Sequence, residues 1–220
     1  MSTPKAKRAK STVLTSRRPM PSNDDILDIA TAAFAEKGFE GARMDEIASV
    51  AGVNKATLYY RIGDKDALFS AVLKRIFSAK IARMEQSLDT VLDVEERVRT
   101  FAATLVDGDH PEQFSAIMLR EIAAGGRNLP DDVLPLMGRV VGALEQTLAQ
   151  GVKEGRFNPV NPFLVHMTLV GACTLSATNG PIRRRVAALA PQGSSLNTEQ
   201  SLQDIAHAIA DMLLSGVRKS

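Results

Sequence analysis

One spacing constrains this chain more than any other. Leu68, Phe69, Val72, Leu73, Ile76, Phe77, Ile81, Met84 and Leu88 recur at intervals of three and four after Asp64. At 3.6 residues per turn these positions share one face, which predicts a helix of several turns with a single apolar side. A strand would need strict alternation, and no convincing alternating run follows residue 22. The chain is expected to be all-α.

Shorter helices are punctuated around this long one. Ser22 can cap a first helix, with Asp24 and Asp25 in its electropositive first turn and Ile26, Ile29, Ala30, Ala33 and Phe34 on one face; Gly38 is expected to end it. A second runs over 44–51, with Ile47, Ala48 and Ala51 inward, and stops at Gly52. Asn54 caps a third, over in about two turns near Arg61, before Gly63 breaks it and Asp64 caps the fourth. Further on, Val94, Val98, Phe101 and Leu105 predict a fifth helix, and Phe114, Ile117, Met118 and Ile122 a sixth that Gly125 and Gly126 stop. Met137, Val140, Val141, Leu144, Leu148 and Val152 predict a seventh, entered through Pro130 and Pro135 and closed near Gly155. The almost uncharged stretch 162–178 reads as a buried eighth helix, and 198–214 as a ninth, after a loop over 190–196. Arg183, Arg184 and Arg185 read as the solvated start of the segment between them.

The formal charge of +2 conceals an asymmetry. Residues 1–77 carry +4 and residues 78–220 carry −2. Lys5, Lys7, Arg8, Lys10, Arg17 and Arg18 crowd the first twenty positions without one acid. Such a segment is expected to be a disordered basic arm over residues 1–21, either a solubilising tail or an extra contact to nucleic acid. Residues 22–66 then form a small domain and residues 67–220 a larger helical one. No apolar run is long enough to span a bilayer, and Cys173 is the single cysteine. A reducing, cytoplasmic setting without a membrane partner is expected.

The stretch "GVNKATLYYRIGDKDALF", residues 52–69, holds the chain's two tyrosines side by side. Two helices joined at Gly52, the second very short, form a helix-turn-helix, the unit that lays its second helix in the major groove of DNA. Val53 and Leu58 suffice to dock that helix, leaving Lys55, Ala56, Thr57, Tyr59, Tyr60 and Arg61 for a partner. Cations neutralise phosphate, tyrosine hydroxyls donate to phosphate oxygens, and Thr57 offers a hydroxyl and a methyl suited to thymine. Either tyrosine taken singly could instead close the small domain's core. Adjacent helical residues point about 100° apart, so both cannot.

Preceded by "AFAEKGFEGARMDEIASVA", this stretch resembles the DNA-binding signature of the TetR family of bacterial transcriptional repressors over residues 24–73. The resemblance implies a homodimer of all-α subunits, each with an N-terminal three-helix DNA-binding domain. The larger C-terminal domain would bind an unknown small-molecule effector and dimerise through its last two helices. Lys55, Ala56 and Thr57 would then approach base edges of a near-palindromic operator, Tyr59 and Tyr60 the phosphates, and Lys65 a phosphate beside the fourth helix. Three residues depart from the family pattern. Arg43 stands where a Ser or Thr usually caps the second helix, trading a cap for a possible phosphate contact. Arg61 and Ile62 replace a common His-Phe pair, so the charge at Arg61 is permanent.

The body carries weaker signals. Met84, Phe101, Phe114, Met118 and Met137 recur on inward faces and are the candidate ligand-binding residues, although core packing is the commoner reason for such stripes. Gly171, Ala172 and Ala177, with Ala206, Ala208 and Ala210, would let the last two helices approach a partner closely. His166 reads as a core or interface histidine and His110 as a turn residue. Cys173 reads as a buried, inert thiol. No nucleophile–base pair or metal-ligand spacing is present, so neither an enzyme nor a cofactor or metal is expected. The leading function is a ligand-released repressor; an activator or ligand-independent regulator, and a structural or protein-binding helical bundle, are the alternatives.

Overall fold

The computed structural model describes residues 20–191 and 199–219, and among these it is built from helices, with one isolated antiparallel bridge between Phe157 and Arg218. Apart from Met20 and Pro21, the basic arm lies outside the described residues, as does most of the 190–196 loop. The helices are α1 (Asn23–Gly41), α2 (Met44–Val50), α3 (Lys55–Arg61), α4 (Lys65–Asp89), α5 (Val94–Leu105), α6 (Pro111–Ala123), α7 (Leu134–Lys153), α8 (Pro162–Thr178), α9 (Gly180–Ala187) and α10 (Leu202–Val217). None is long and apolar enough to cross a membrane.

Local chemistry sets the starts of the first four helices much as the sequence implies. Ser22 Oγ accepts from the Asp25 amide at 3.0 Å while Asp25 accepts from the Ser22 amide at 2.7 Å, a reciprocal box that satisfies two free donors. Asn54 accepts from Thr57 N at 2.7 Å and Asp64 from Ala67 N at 2.9 Å. Arg43 precedes α2 without capping it and bonds Asp45 instead. Gly38 breaks α1 with φ +71°, and the backbone resumes helical geometry as far as Gly41. Gly63 has φ +109°, and a Cβ there would fall 2.8 Å from Ala67, so the α3–α4 corner requires glycine.

Three expectations need correction. The helix over 162–178 is not buried within the subunit: only Val165, Leu169 and Cys173 are, while Phe163, Leu164, Met167 and Leu175 are exposed, because its apolar residues run all round and only one face meets the core. α9, over the arginine run, is a helix rather than a connecting segment, and none of its residues is buried. The final helix begins at Leu202, where Ser201 accepts from Asp204 N at 3.1 Å, and runs to Val217.

The molecule has two apolar cores. The first joins Ile26, Phe34, Ile47, Leu58, Leu68, Phe69 and Leu73 with Ile117, Met118 and Val133. Phe34 and Phe69 meet edge to face, centroids 4.8 Å apart, at its centre. The second gathers Met84, Val98, Phe101, Leu144, Leu148, Phe157, Leu169 and Leu214. Helix α4 serves both, ending its share of the first at Phe77 and entering the second at Met84. Ala206 and Ala210 are wholly buried in the second core, so these two small residues of α10 serve the subunit's own packing; Ala208 is exposed.

Polar ties join the first three helices to the rest. Arg120 of α6 donates to Ala35 O at 3.3 Å and Glu36 O at 2.8 Å, just before the Gly38 break. Arg75 of α4 bonds Asp28 of α1 at 2.5 Å; separately, Asp132 in the α6–α7 connection accepts from Ser70 and pairs with Lys74, fastening that connection to α4.

Candidate nucleic-acid interface

Helix α3 is held by one buried side chain, Leu58, which leaves the other faces of its two turns outside the core. Lys55 and Ala56 are exposed, and Thr57 is half-buried at the helix start. Tyr60 is 92% exposed and Tyr59 43% exposed, so neither ring closes the head's core. Both tyrosines therefore belong to the surface. Lys55 Nζ lies 5.9 Å from the Tyr59 ring centroid, which steers both toward one edge of the helix. Arg43 is exposed, and its guanidinium holds the Asp45 carboxyl below the usual carboxylate range.

Two candidate cations are less free than the sequence implies. Lys65 Nζ donates to Glu40 O at 3.1 Å and sits 4.7 Å from the Phe39 ring centroid. Arg61 turns back onto α1: Nε donates to Asn23 Oδ1 at 2.9 Å and a terminal nitrogen to Pro21 O at 2.7 Å. Its partners lie about forty residues upstream, beyond the reach of any local pattern, which is why sequence reasoning missed them.

The five candidate ligand residues are not brought to one cavity. Met84 and Phe101 are buried in the second core, Met118 is buried in the first, and Phe114 and Met137 pack on the edge of the first. Only Phe114 among them lines the open cleft of about 660 Å³ between α1, α4 and the start of α6. The cleft's other walls include Asp24, Asp28, Arg75, Lys80, Arg83 and His110, residues that sequence reading did not associate because they come from three separate elements. Arg75 spans it, bonding Asp28 Oδ1 at 2.5 Å. Lys80 donates to Leu105 O at 3.0 Å and Asp107 O at 2.8 Å, taking carbonyls that the end of α5 leaves free. Burial pushes its ammonium down to about 8.

His166 stands on α8 with its ring 6.2 Å from that of Phe101, and burial lowers its pKa. Cys173 is buried and its thiol is pushed up to about 11, so it is a poor nucleophile at neutral pH.

Residues 26–72 match the family model described as bacterial regulatory proteins of the tetR family. Over nearly its full length the chain is 27% identical to the HTH-type transcriptional regulator RutR of Escherichia coli, covering 95% of this chain and 96% of that one. It is 29% identical to the HTH-type transcriptional repressor NicS of Pseudomonas putida, covering 89% and 92%. Among solved structures, the regulator FadR of Bacillus subtilis, in complex with stearoyl-CoA, superposes with a TM-score of 0.68 at 18% identity, over 89% of this chain and 99% of that one. The TetR-family regulator PfmR of Thermus thermophilus gives 0.64 at 24% identity, over 91% and 99%. Both of these curated relatives are named as transcriptional regulators. An exposed two-turn helix docked by Leu58 thus stands in a head that matches the tetR family model over residues 26–72, in a chain that is similar over nearly its whole length to HTH-type transcriptional regulators.

Proposed function

We propose that the protein is a homodimeric, sequence-specific DNA-binding repressor that leaves its operator when a small molecule binds the body. The exposed face of α3 carries the proposal: Lys55, Ala56 and Tyr60 stand in solvent with no role in the core. Lys55, Ala56 and Thr57 approach base edges. Tyr59, Tyr60, Arg43 and Lys65 address phosphates, while Arg61 acts through its grip on α1. The arm of residues 1–21, a head of 22–66 and a body of 67–220 are the working units.

Dimerisation is supported by an uncovered apolar face. Phe163, Leu164, Met167 and Leu175 on α8 and Met212 on α10 are all exposed, a stripe that a second copy would bury. The proposed seam therefore runs along α8 and α10, the pair the sequence reading took as last, with α9 intervening. Two heads related by a two-fold axis would meet successive half-sites about 34–36 Å apart or at a multiple of that distance.

Repression is supported by the name of NicS, and effector binding by the stearoyl-CoA complex of FadR. Phe114 is the proposed entry point, since it alone of the five candidates lines the cleft. A ligand that extends to Met84, Phe101, Met118 and Met137 must part packed side chains, which is how binding would shift the heads. A differential affinity of about 1–3 kcal/mol between the two arrangements weakens DNA binding roughly 5- to 150-fold.

The test is selection of duplexes from a random-sequence library, followed by titration at several salt concentrations and sedimentation of the free protein. A near-palindromic site bound by a dimer is expected. A strictly monomeric protein, or one that enriches no sequence, overturns the proposal.

A further inference from the structure

Resting on the ligand-responsive reading above, we infer that the cleft between α1, α4 and the start of α6 binds a small organic carboxylate that competes with Asp28 for Arg75. Helix α4 supplies the cations. Arg75, Lys80 and Arg83 all line the cleft, and Ile76 and Phe114 give it an apolar surface. The three are held with unequal firmness. Arg75 is engaged with α1, through Asp28 Oδ1 at 2.5 Å and the Asp24 carbonyl at 3.2 Å. Lys80 spends two short bonds on the carbonyls of Leu105 and Asp107, while its contact with Thr104 O is stretched to 3.5 Å. Its ammonium lies 5.4 Å from the Phe114 ring centroid, and no carboxylate among the described residues pairs with it. Arg83 has only a loose approach to Asp107, at 3.9 Å, among the described residues.

A half-buried ammonium that meets carbonyl dipoles but no counter-charge is incompletely compensated, as its lowered pKa of about 8 reflects. An anion beside Lys80 restores what burial takes away. The start of α6 also lines the cleft, and His110 caps it with no side-chain bond, so the positive end of that helix adds to the field. The acids on the same walls set the ligand's charge. Asp24, Asp28, Asp107 and Asp109 repel a dianion such as a phosphate monoester more strongly than a singly charged carboxylate. Arg75 already holds a carboxylate, that of Asp28, so a ligand carboxylate replaces it like for like on the same guanidinium. The exchange costs little, because the Asp28 side chain is 72% exposed and regains water once displaced. A cleft of about 660 Å³ has room for more than the carboxylate itself, and Ile76 and Phe114 suit an apolar remainder. Since the Arg75 contacts tie α4 to the first helix of the head, a ligand that takes Arg75 loosens that tie.

The experiment titrates the full-length protein by calorimetry with benzoate and octanoate, and with their neutral and cationic counterparts: benzyl alcohol, octanol, benzylammonium and octylammonium. At least one carboxylate is expected to bind about tenfold or more tightly than its own counterparts. Arg75→Gln weakens that carboxylate by about tenfold, as does the double variant Lys80→Gln with Arg83→Gln. Asp28→Asn removes the competitor and tightens it, by roughly threefold. The exposed Asp28 variant keeps the test open should a variant of α4 fail to fold, which thermal unfolding reports. Neither carboxylate binding better than its counterparts overturns the inference. So does an unchanged affinity in Arg75→Gln or in the double variant, or an affinity that Asp28→Asn leaves unchanged or weakens. The selected duplex separates this inference from the reading beneath it. Carboxylate binding that leaves DNA affinity unchanged supports the site and overturns release from the operator, and failure to select any duplex overturns the DNA-binding reading while the calorimetry stands.

Discussion

The head and the body of this molecule spend their charged side chains differently. On α3, Lys55 is exposed beside the Tyr59 ring, and Tyr60 is 92% exposed. In the body, Glu95 of α5 alone engages three arginines: Arg218 at 2.5 Å, Arg156 at 2.8 Å and Arg99 at 3.8 Å. Arg156 also meets Asp93, and Arg99 meets Asp211 of α10. The body's charges are used to fasten α5, the α7–α8 connection and α10 to one another. On α3 Arg61 is engaged with α1 and Pro21, but Lys55 stays at the surface, as a face that must exchange water for phosphate requires. Leaving polar groups uncommitted costs little stability at an exposed position, whereas a pinned network rigidifies the element it joins.

Substitutions can break this contrast, beginning with the one expected to cost the most stability. Leu58→Ala removes the one buried side chain of α3 and is expected to cost about 2–5 kcal/mol by urea unfolding, with DNA binding abolished as the helix undocks. A cost below about 1 kcal/mol would mean that Arg61, not the core, holds α3. Gly151→Ala probes the body. Its Cβ would fall 2.1 Å from the buried Phe157 ring, so the α7–α8 corner must shift, at about 1–3 kcal/mol, with DNA affinity of the folded protein little changed.

Glu95→Gln is expected to cost about 1 kcal/mol at neutral pH, since its arginine partners are partly solvated. Its pH signature is sharper. Hydrogen bonds from Arg218 and Arg156 hold the Glu95 carboxyl below its ordinary value of 4.5. The stabilisation is therefore complete above that value and is lost as pH falls through the depressed one, because the unfolded chain takes up the proton first. Glu95→Gln should flatten that acid limb of the stability curve, and an unchanged limb would remove Glu95 from the network. Smallest on this scale is Tyr60→Phe, which should leave stability within about 0.5 kcal/mol. Binding to matched and mismatched duplexes should weaken alike, by roughly 2- to 10-fold, if the hydroxyl meets phosphate. Weakening on one sequence alone would give Tyr60 a base-reading role.

Much of the head could be read directly from residues. Ser22, Asn54 and Asp64 cap helices as their chemistry suggests, and Gly63 sits at the corner that needs a positive φ. These devices act within three or four residues, so they leave a trace in the sequence. The head's docking onto the body does not. Arg120 reaches Ala35 and Glu36 across some 85 positions, and Arg75 reaches Asp24 and Asp28 across 51 and 47. For the candidate site, the exposed residues of α3 were legible because a two-turn helix has too few positions to hide them. The grip of Arg61 on Pro21 and the head–body cleft beside Phe114 were not. In the body, Met84 and Met118 looked equivalent as inward thioethers, yet they belong to different cores.

What the sequence determined by itself is the helical alphabet of the chain and most of the surface of the two-turn helix α3, because periodicity, caps and glycines act over one or two turns. Tertiary structure alone decided which apolar stripes share a core, where the cleft opens and which cations are already engaged. Those outcomes depend on approaches between elements dozens of residues apart, and nothing in a local spacing records which distant carbonyl a guanidinium will find.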